Sequence, residues 1–234
     1  QKHIGDALVF ELSKVERPDI RSRMLSHLMH IDDGLADTVA NGLGLPLPEK
    51  AKAAVTPKAD LPPSDALSIV KNGPDNFAGR KLGLLVSDGA DAALVKALMD
   101  AVKAADALCE VIAPKIGGAT LSDGTLLPAQ QKIDGGPSVL YDAVAVIVSD
   151  EGAALLSKDA PSKDFVADAF AHCKFLGLSP QAEPLLVKAG IAEDLDDGCL
   201  GLESADDAKA FVAALAPLRF WDRESRVDLD AMNA

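Results

Sequence analysis

The chain is 234 residues long and 48% apolar, enough for one large domain or two modest ones, but only 4% of it is aromatic, so Ala, Leu and Val must build the core. A formal charge of −13 and a pI near 4.6 give a surface that repels phosphate backbones and anionic lipid, which argues against nucleic-acid and membrane partners. No apolar run approaches the roughly 18 residues that span a bilayer, and the N-terminus carries no basic-then-apolar leader.

In chain order, residues 4–15 place Ile4, Leu8, Leu12 and Val15 at helical spacing. This helix starts almost at Gln1, which points to a chain cut from something longer. Pro18 suits the first position of a second helix, where no amide donor is needed, and Ile20, Met24, Leu28 and Ile31 form its apolar stripe. Asp32 or Asp33 can cap a third helix bearing Leu35, Ala36, Val39 and Ala40, with Gly42 placed to end it in a left-handed conformation. The three stripes are narrow and show no shared core, so these helices are expected to pack on another body.

Prolines at 46, 48, 57, 62, 63 and 74 then make an extended linker over 46–79, with one short helix possible at 64–70. From residue 80 the pattern alternates. Residues 81–86 and 108–113 read as buried strands around an amphipathic helix at 91–105 carrying Leu94, Leu98, Val102 and Ala105. Residues 119–121 and 125–127 flank Ser122-Asp123-Gly124, a hairpin signal. Residues 142–148 give the next core strand. Ser162 caps a helix running to His172, with Phe165, Ala169 and Phe170 inward. Residues 175–178 form a strand, 180–188 a short helix and 198–202 the last strand. Ser204 to Asp207 forms a capping box before a helix ending near Ala216. Continuous apolar strands separated by amphipathic helices predict an α/β fold: a doubly wound, mostly parallel sheet covered on both faces. The organisation expected is therefore a helical segment at 1–45, a linker at 46–79 and an α/β domain at 80–234.

The obvious chemistries fit poorly. The turn after the first strand, Ser87-Asp88-Gly89-Ala90-Asp91, has one glycine and two carboxylates where a dinucleotide or flavin phosphate needs bare amides; Asp88 and Asp91 read better as helix caps. A phosphoacceptor site built on Asp88 and Asp150 lacks a lysine after the last strand, where Glu203 and Ser204 stand. A nucleophile elbow at Ser179-Pro180-Gln181 has no flanking glycine, and His172 falls at the other end of the strand, so Ser179 reads as a helix cap. His3, His27 and His30 lie in the helical segment; His27 and His30 share a helix face, but no carboxylate or cysteine completes a metal site. Cys109, Cys173 and Cys199 are too widely spaced for a disulfide framework or a zinc site and read as free thiols of a reducing compartment.

Several segments together resemble a known family. Phe10-Glu11-Leu12-Ser13-Lys14-Val15-Glu16, Pro18, Ile20-Arg21-Ser22-Arg23-Met24, His27-Leu28 and Ile31-Asp32 look like the helical region closing the catalytic part of large-subunit monofunctional haem catalases of the hydroperoxidase II type. Val39-Ala40-Asn41-Gly42-Leu43-Gly44-Leu45 fits the end of that region. Asp123-Gly124-Thr125-Leu126-Leu127-Pro128, Pro137-Ser138-Val139-Leu140-Tyr141-Asp142-Ala143-Val144, Lys174-Phe175-Leu176-Gly177 and Arg219-Phe220-Trp221-Asp222-Arg223 are similar to the C-terminal extension of the same class. The resemblance implies a parent enzyme that disproportionates hydrogen peroxide with haem, of which this chain is the C-terminal part.

It also implies the catalytic haem domain and its tetramer as partners, a cytoplasmic location, and a flavodoxin-like fold of the class I glutamine amidotransferase-like superfamily. No position matches the family's haem-binding residues: Tyr141, the only tyrosine, lacks the proximal motif. No catalytic, cofactor-binding or metal residue is therefore carried over. The superfamily's nucleophilic cysteine is replaced by Ser179, which leaves a non-catalytic, stabilising domain as the expected role. A chaperone-like action on unfolded client proteins accompanies that role, and a hydrolase or amidase at the Ser179 turn is the alternative.

Overall fold

The computed structural model describes residues 2–58, 60–68 and 71–227. The chain divides into two compact units, residues 1–68 and 69–234.

The first unit holds three helices, α1 (Lys2–Ser13), α2 (Pro18–Leu28) and α3 (Asp33–Leu43). Pro18 opens α2 as expected, and Asp32 caps α3 by accepting from the Leu35 amide at 2.7 Å. Contrary to the sequence reading, the helices share a small core of Leu12, Leu25, Leu28, Ala36, Val39 and Ala40. Of the apolar stripe assigned to α2, only Leu28 is buried; Ile20, Met24 and Ile31 are exposed, because α2 turns Leu25 and Ser26 inward instead. The left-handed cap of α3 is Gly44 (φ 64°), not Gly42. Gly42 stays helical and serves packing: a Cβ there would lie 2.6 Å from Val9, so its absence lets α1 and α3 approach. His30 lies beyond the end of α2, not on its face, and its Nε2 meets the Ala51 carbonyl at 2.5 Å. Of the helix expected at 64–70, a 3-10 turn at Asp65–Leu67 is present; Ile69 and Val70 lie outside the described residues.

The second unit is a six-stranded parallel sheet in the order β5-β2-β1-β6-β7-β8, beside a two-stranded antiparallel hairpin of β3 and β4. The strands are β1 (Lys81–Val86), β2 (Leu108–Ala113), β3 (Ala119–Thr120), β4 (Leu126–Leu127), β5 (Gln131–Lys132), β6 (Ala143–Ile147), β7 (Leu176–Leu178) and β8 (Cys199–Gly201). Helices α4 (Ala92–Ala104) and α8 (Ala205–Ala214) cover Leu82, Leu84, Val86, Ala145 and Ile147 on one face. Helices α5 (Asp150–Leu156), α6 (Ala160–Ala171) and α7 (Glu183–Ala189) cover Leu85, Ile112, Val144 and Val146 on the other. Alternate residues of one strand thus enter opposite cores, which is why β1 and β6 read as unbroken apolar runs. Strand β2 is less enclosed than expected: Leu108 is exposed and Cys109 half-buried. Helix α6 is capped by Asp159, which accepts from the Ser162 amide at 3.0 Å; Ser162 itself sits inside the helix.

Candidate functional site

Without its short β5 edge the strand order is 2-1-3-4-5, and the order reverses between β1 and β6. Ligands of doubly wound sheets bind beyond the strands' carboxyl ends at this point. There a cleft of about 400 Å³ is lined by Ser122, Ser149 and Gln181 together with Asp91, Asp150, Glu151 and Glu203. Four carboxylates around one opening disfavour any anion.

Several backbone amides that could cradle an anion are used by the chain itself. The Gly89 amide donates to the Thr120 carbonyl at 2.8 Å, and the Thr120 amide returns a bond to Asp88 Oδ1 at 2.8 Å. The Ala92 amide donates to Ser122 Oγ at 3.0 Å, and the Leu94 amide to Asp91 Oδ1 at 2.8 Å. The β3–β4 hairpin therefore lies across the first turn and completes its hydrogen bonding. Asp91 caps α4 as expected. Asp88 does not; it holds the hairpin, with Lys115 Nζ 3.7 Å from its other oxygen. Underneath, Ser87 Oγ accepts from the Ser149 amide at 3.1 Å, and Ser149 Oγ donates to the Asp88 carbonyl at 2.7 Å while accepting from the Gly152 amide at 3.0 Å. A Cβ on Gly152 would lie 1.8 Å from Ser87 Oγ, so this turn also closes tightly on itself.

Ser179 is buried and adopts ordinary extended geometry (φ −69°, ψ 150°), not the strained turn of a nucleophile elbow. Its side chain makes no cap; its Oγ accepts from the Val148 amide at 3.3 Å and so ties β7 to β6. His172 is exposed at the end of α6, with Nδ1 2.7 Å from the Asp168 carbonyl. It precedes β7 while Ser179 follows it, so the two are not brought together. Asp150 is the first residue of α5, and the amide of Glu203, after the last strand, donates to Asp207 Oδ2 at 3.1 Å. No lysine faces the pair Asp88 and Asp150 from that strand.

Three of the motifs that carried the resemblance meet at the opposite, amino end of the sheet. Buried Lys174 donates from Nζ to the carbonyls of Ser138 (2.5 Å) and Tyr141 (2.7 Å). Arg219 reaches the Asp142 carbonyl at 3.1 Å, and the Phe220 amide reaches the Cys173 carbonyl at 2.7 Å. Arg223 is fully buried. It grips Asp196 with Nε–Oδ2 2.8 Å and Nη2–Oδ1 2.7 Å, donates to the carbonyls of Lys174 (2.7 Å) and Phe170 (3.1 Å), and stacks 4.1 Å from the Phe170 ring centroid. Burial works to raise the Asp196 pKa, but the Arg223 hydrogen bonds and charge outweigh it and hold the carboxyl below the usual range. Burial, then the charge of Arg219, lowers Lys174 to about 8. The resemblance motifs contain Lys174, Arg219 and Arg223 without showing their roles, and Asp196 was not singled out at all; the one available signal was a tail with arginines beside an aromatic pair.

Among the described residues, Tyr141, Cys109 and Cys199 do not fit haem ligation. Axial ligands are His, Cys, Tyr or Met side chains reaching an open pocket. The Tyr141 ring is wedged so closely on Gly83 that a Cβ there would lie 2.5 Å away, and its hydroxyl makes no hydrogen bond among the described residues. Burial, followed by the Glu110 charge, pushes its phenol up, the wrong direction for a tyrosinate ligand. Burial also pushes Cys109 up to about 12 and Cys199 up to about 11. Among the described residues no group of three or more His, Cys, Asp or Glu side chains is placed to hold a metal.

Fold and site together define a doubly wound α/β domain whose first switch-point turn is covered by its own hairpin. A family described as the C-terminal domain found in long catalases matches residues 78–225, and one described as catalase-related immune-responsive matches residues 1–43. The chain belongs to the first of these families and is the C-terminal region of a large-subunit catalase. It is similar to Catalase C of Rhizobium meliloti, 54% identical over 98% of this chain and 33% of that protein. It is also similar to Catalase HPII of Mycobacterium avium (37%, 96% and 33%) and Catalase HPII of Pseudomonas putida (35%, 97% and 32%). The chain spans about a third of the length of these curated relatives.

Proposed function

We propose that the chain is a non-catalytic, stabilising part of an enzyme that disproportionates hydrogen peroxide with haem, the haem being held by residues outside this chain. The observation that carries this reading is the crevice: the Gly89, Ala90, Ala92 and Leu94 amides at its first turn are bonded within the chain, and His172 is not brought to Ser179. The names of the relatives support the parent activity. In this reading residues 1–45 close the helical region of the catalytic part, 46–79 run as a linker and 80–234 form the flavodoxin-like extension. Ile4, Phe10, Ile20, Met24 and Ile31 leave an apolar surface on the first unit that suits contact with the haem domain and its tetramer. No helix among the described residues is long and apolar enough to cross a membrane, and we place the protein in the cytoplasm.

Removing residues 80–234 from the longer enzyme is expected to leave its haem spectrum intact and to lower the temperature of its irreversible inactivation. Loss of the haem spectrum with unchanged heat resistance would contradict the reading. A client-holding role belongs to the same proposal, supported by exposed Val139, Leu140 and Trp221. It predicts suppressed aggregation of a heated client at near-stoichiometric ratio; no protection beyond that of an equally acidic control protein rejects it.

A further inference from the structure

The asparagines of the chain are Asn41, Asn72, Asn76 and Asn233, the last outside the described residues. Two of them, Asn41 and Asn72, precede glycine. A glycine amide is the least hindered nucleophile a backbone offers, since no Cβ shields it and its dihedral range is wide. Both asparagines are exposed, so access does not separate them. Backbone conformation does. Asn41-Gly42 lies inside α3, where the helix ladder aims the Gly42 amide at the preceding turn and packing on Val9 fixes the glycine. Asn72-Gly73 lies in neither helix nor strand, just past the end of the first compact unit, with Pro74 next. Asn76 is followed by buried Phe77, whose Cβ hinders the attacking amide in a way glycine does not.

We propose that Asn72-Gly73 is a self-modifying site, converted by its own backbone to aspartate and isoaspartate. The Gly73 nitrogen gives its proton to solvent base and bonds to Asn72 Cγ. The Cγ–Nδ2 bond breaks, and the nitrogen takes up a proton and leaves as ammonia. Water then opens the five-membered imide at either carbonyl. One water is consumed, one ammonia is released and nothing is oxidised or reduced. The product is one unit more negative than the −13 chain, and the isoaspartyl form carries an extra main-chain carbon at the start of the second unit.

The test is to incubate the intact chain at mildly alkaline pH, folded and in urea, and to map peptides by mass spectrometry with an isoaspartate-specific methyl-transfer assay. The folded chain is expected to convert at Asn72 while Asn41 and Asn76 persist; in urea Asn41 and Asn72 should convert alike. Gly73→Ala should slow conversion at Asn72 by roughly tenfold, about 1.4 kcal/mol in barrier. Asn41 converting as fast as Asn72 in the folded chain would overturn the proposal. So would an intact Asn72 over the period in which urea converts both, or a Gly73→Ala rate equal to that of the parent.

Discussion

Replacing Arg223 with leucine should cost this domain more than any single surface change. The guanidinium is fully buried, and its partner Asp196 keeps only 10% of its side-chain surface. Removing it strands the Asp196 carboxylate, with Arg226 left 3.8 Å away as a half-exposed substitute, takes the Arg223 donor from the Lys174 carbonyl, and leaves the Phe170 carbonyl only its backbone donors, among them the Cys173 amide at 2.9 Å. Breaking a buried pair from one side costs about 3–5 kcal/mol. Each lost carbonyl bond adds on the order of 1 kcal/mol, though the terms share one network and do not sum. An expected loss of about 4 kcal/mol corresponds to a fall in Tm of roughly 10 °C for a domain of this size.

Urea unfolding followed by circular dichroism measures the loss, with an unchanged m value showing that the denatured state is not responsible. The double variant Arg223→Leu/Asp196→Leu should recover part of it, because no unpaired charge remains. A loss for Arg223→Leu below about 1 kcal/mol, or a double variant no better than the single, would refute the buried-clamp reasoning.

Asp196 also makes the clamp acid-sensitive: its folded pKa lies below the unfolded value, so its contribution is present above about pH 4 and is lost as pH falls through the folded pKa. Asp196→Asn should flatten that part of the pH–stability profile, and an unaltered acid limb would contradict it. Burial lowers Lys174 to about 8 in the folded chain, against the ordinary lysine value of 10.5 when unfolded, so the folded state holds fewer protons and stability rises with pH across that window. Lys174→Met should abolish the rise in urea titrations. Cys109 and Cys199, raised to about 12 and about 11, stay protonated at neutral pH and should resist iodoacetamide and peroxide until the chain is unfolded. Stoichiometric labelling of either in the folded chain would count against this. Gly152→Ala drives a methyl into Ser87 Oγ and should cost about 2 kcal/mol, whereas Gly117→Ala, with open space around it, should change thermal melting little.

Strands β1 and β6 were legible because burial on both faces writes a near-continuous apolar run. Strand β5 was not, since Gln131 and Lys132 pair with Ile112 and Ala113 through backbone alone and carry no apolar signature. Helix α5 was missed because Ser149-Asp150-Glu151 reads as a turn after a strand; the same residues are an N-cap and an acidic first turn. The shared core of the first three helices was hidden by small residues: Ala36 and Ala40 bury little surface each, yet they and Gly42 allow the close approach that makes the core possible.

At the crevice, the capping role of Asp91 and the lack of a glycine-rich phosphate turn were legible from local pattern alone. Asp88 depended on a partner, Thr120, 32 positions away, which no local pattern contains. Arg223 is the same case, with Asp196 27 positions away and Phe170 53. A buried charge has no periodicity, and its partners come from two separate connections of the sheet, Phe170 and Lys174 from the one between β6 and β7 and Asp196 from the one between β7 and β8.

The central claim is that this chain stabilises a haem enzyme without itself holding haem. Its most direct test is to titrate haem into the purified chain, follow the Soret band and then add hydrogen peroxide with an oxygen electrode. The account predicts the spectrum of free haem throughout and no oxygen evolution beyond that of haem alone. A stoichiometric, saturable Soret shift with rapid oxygen release would contradict it.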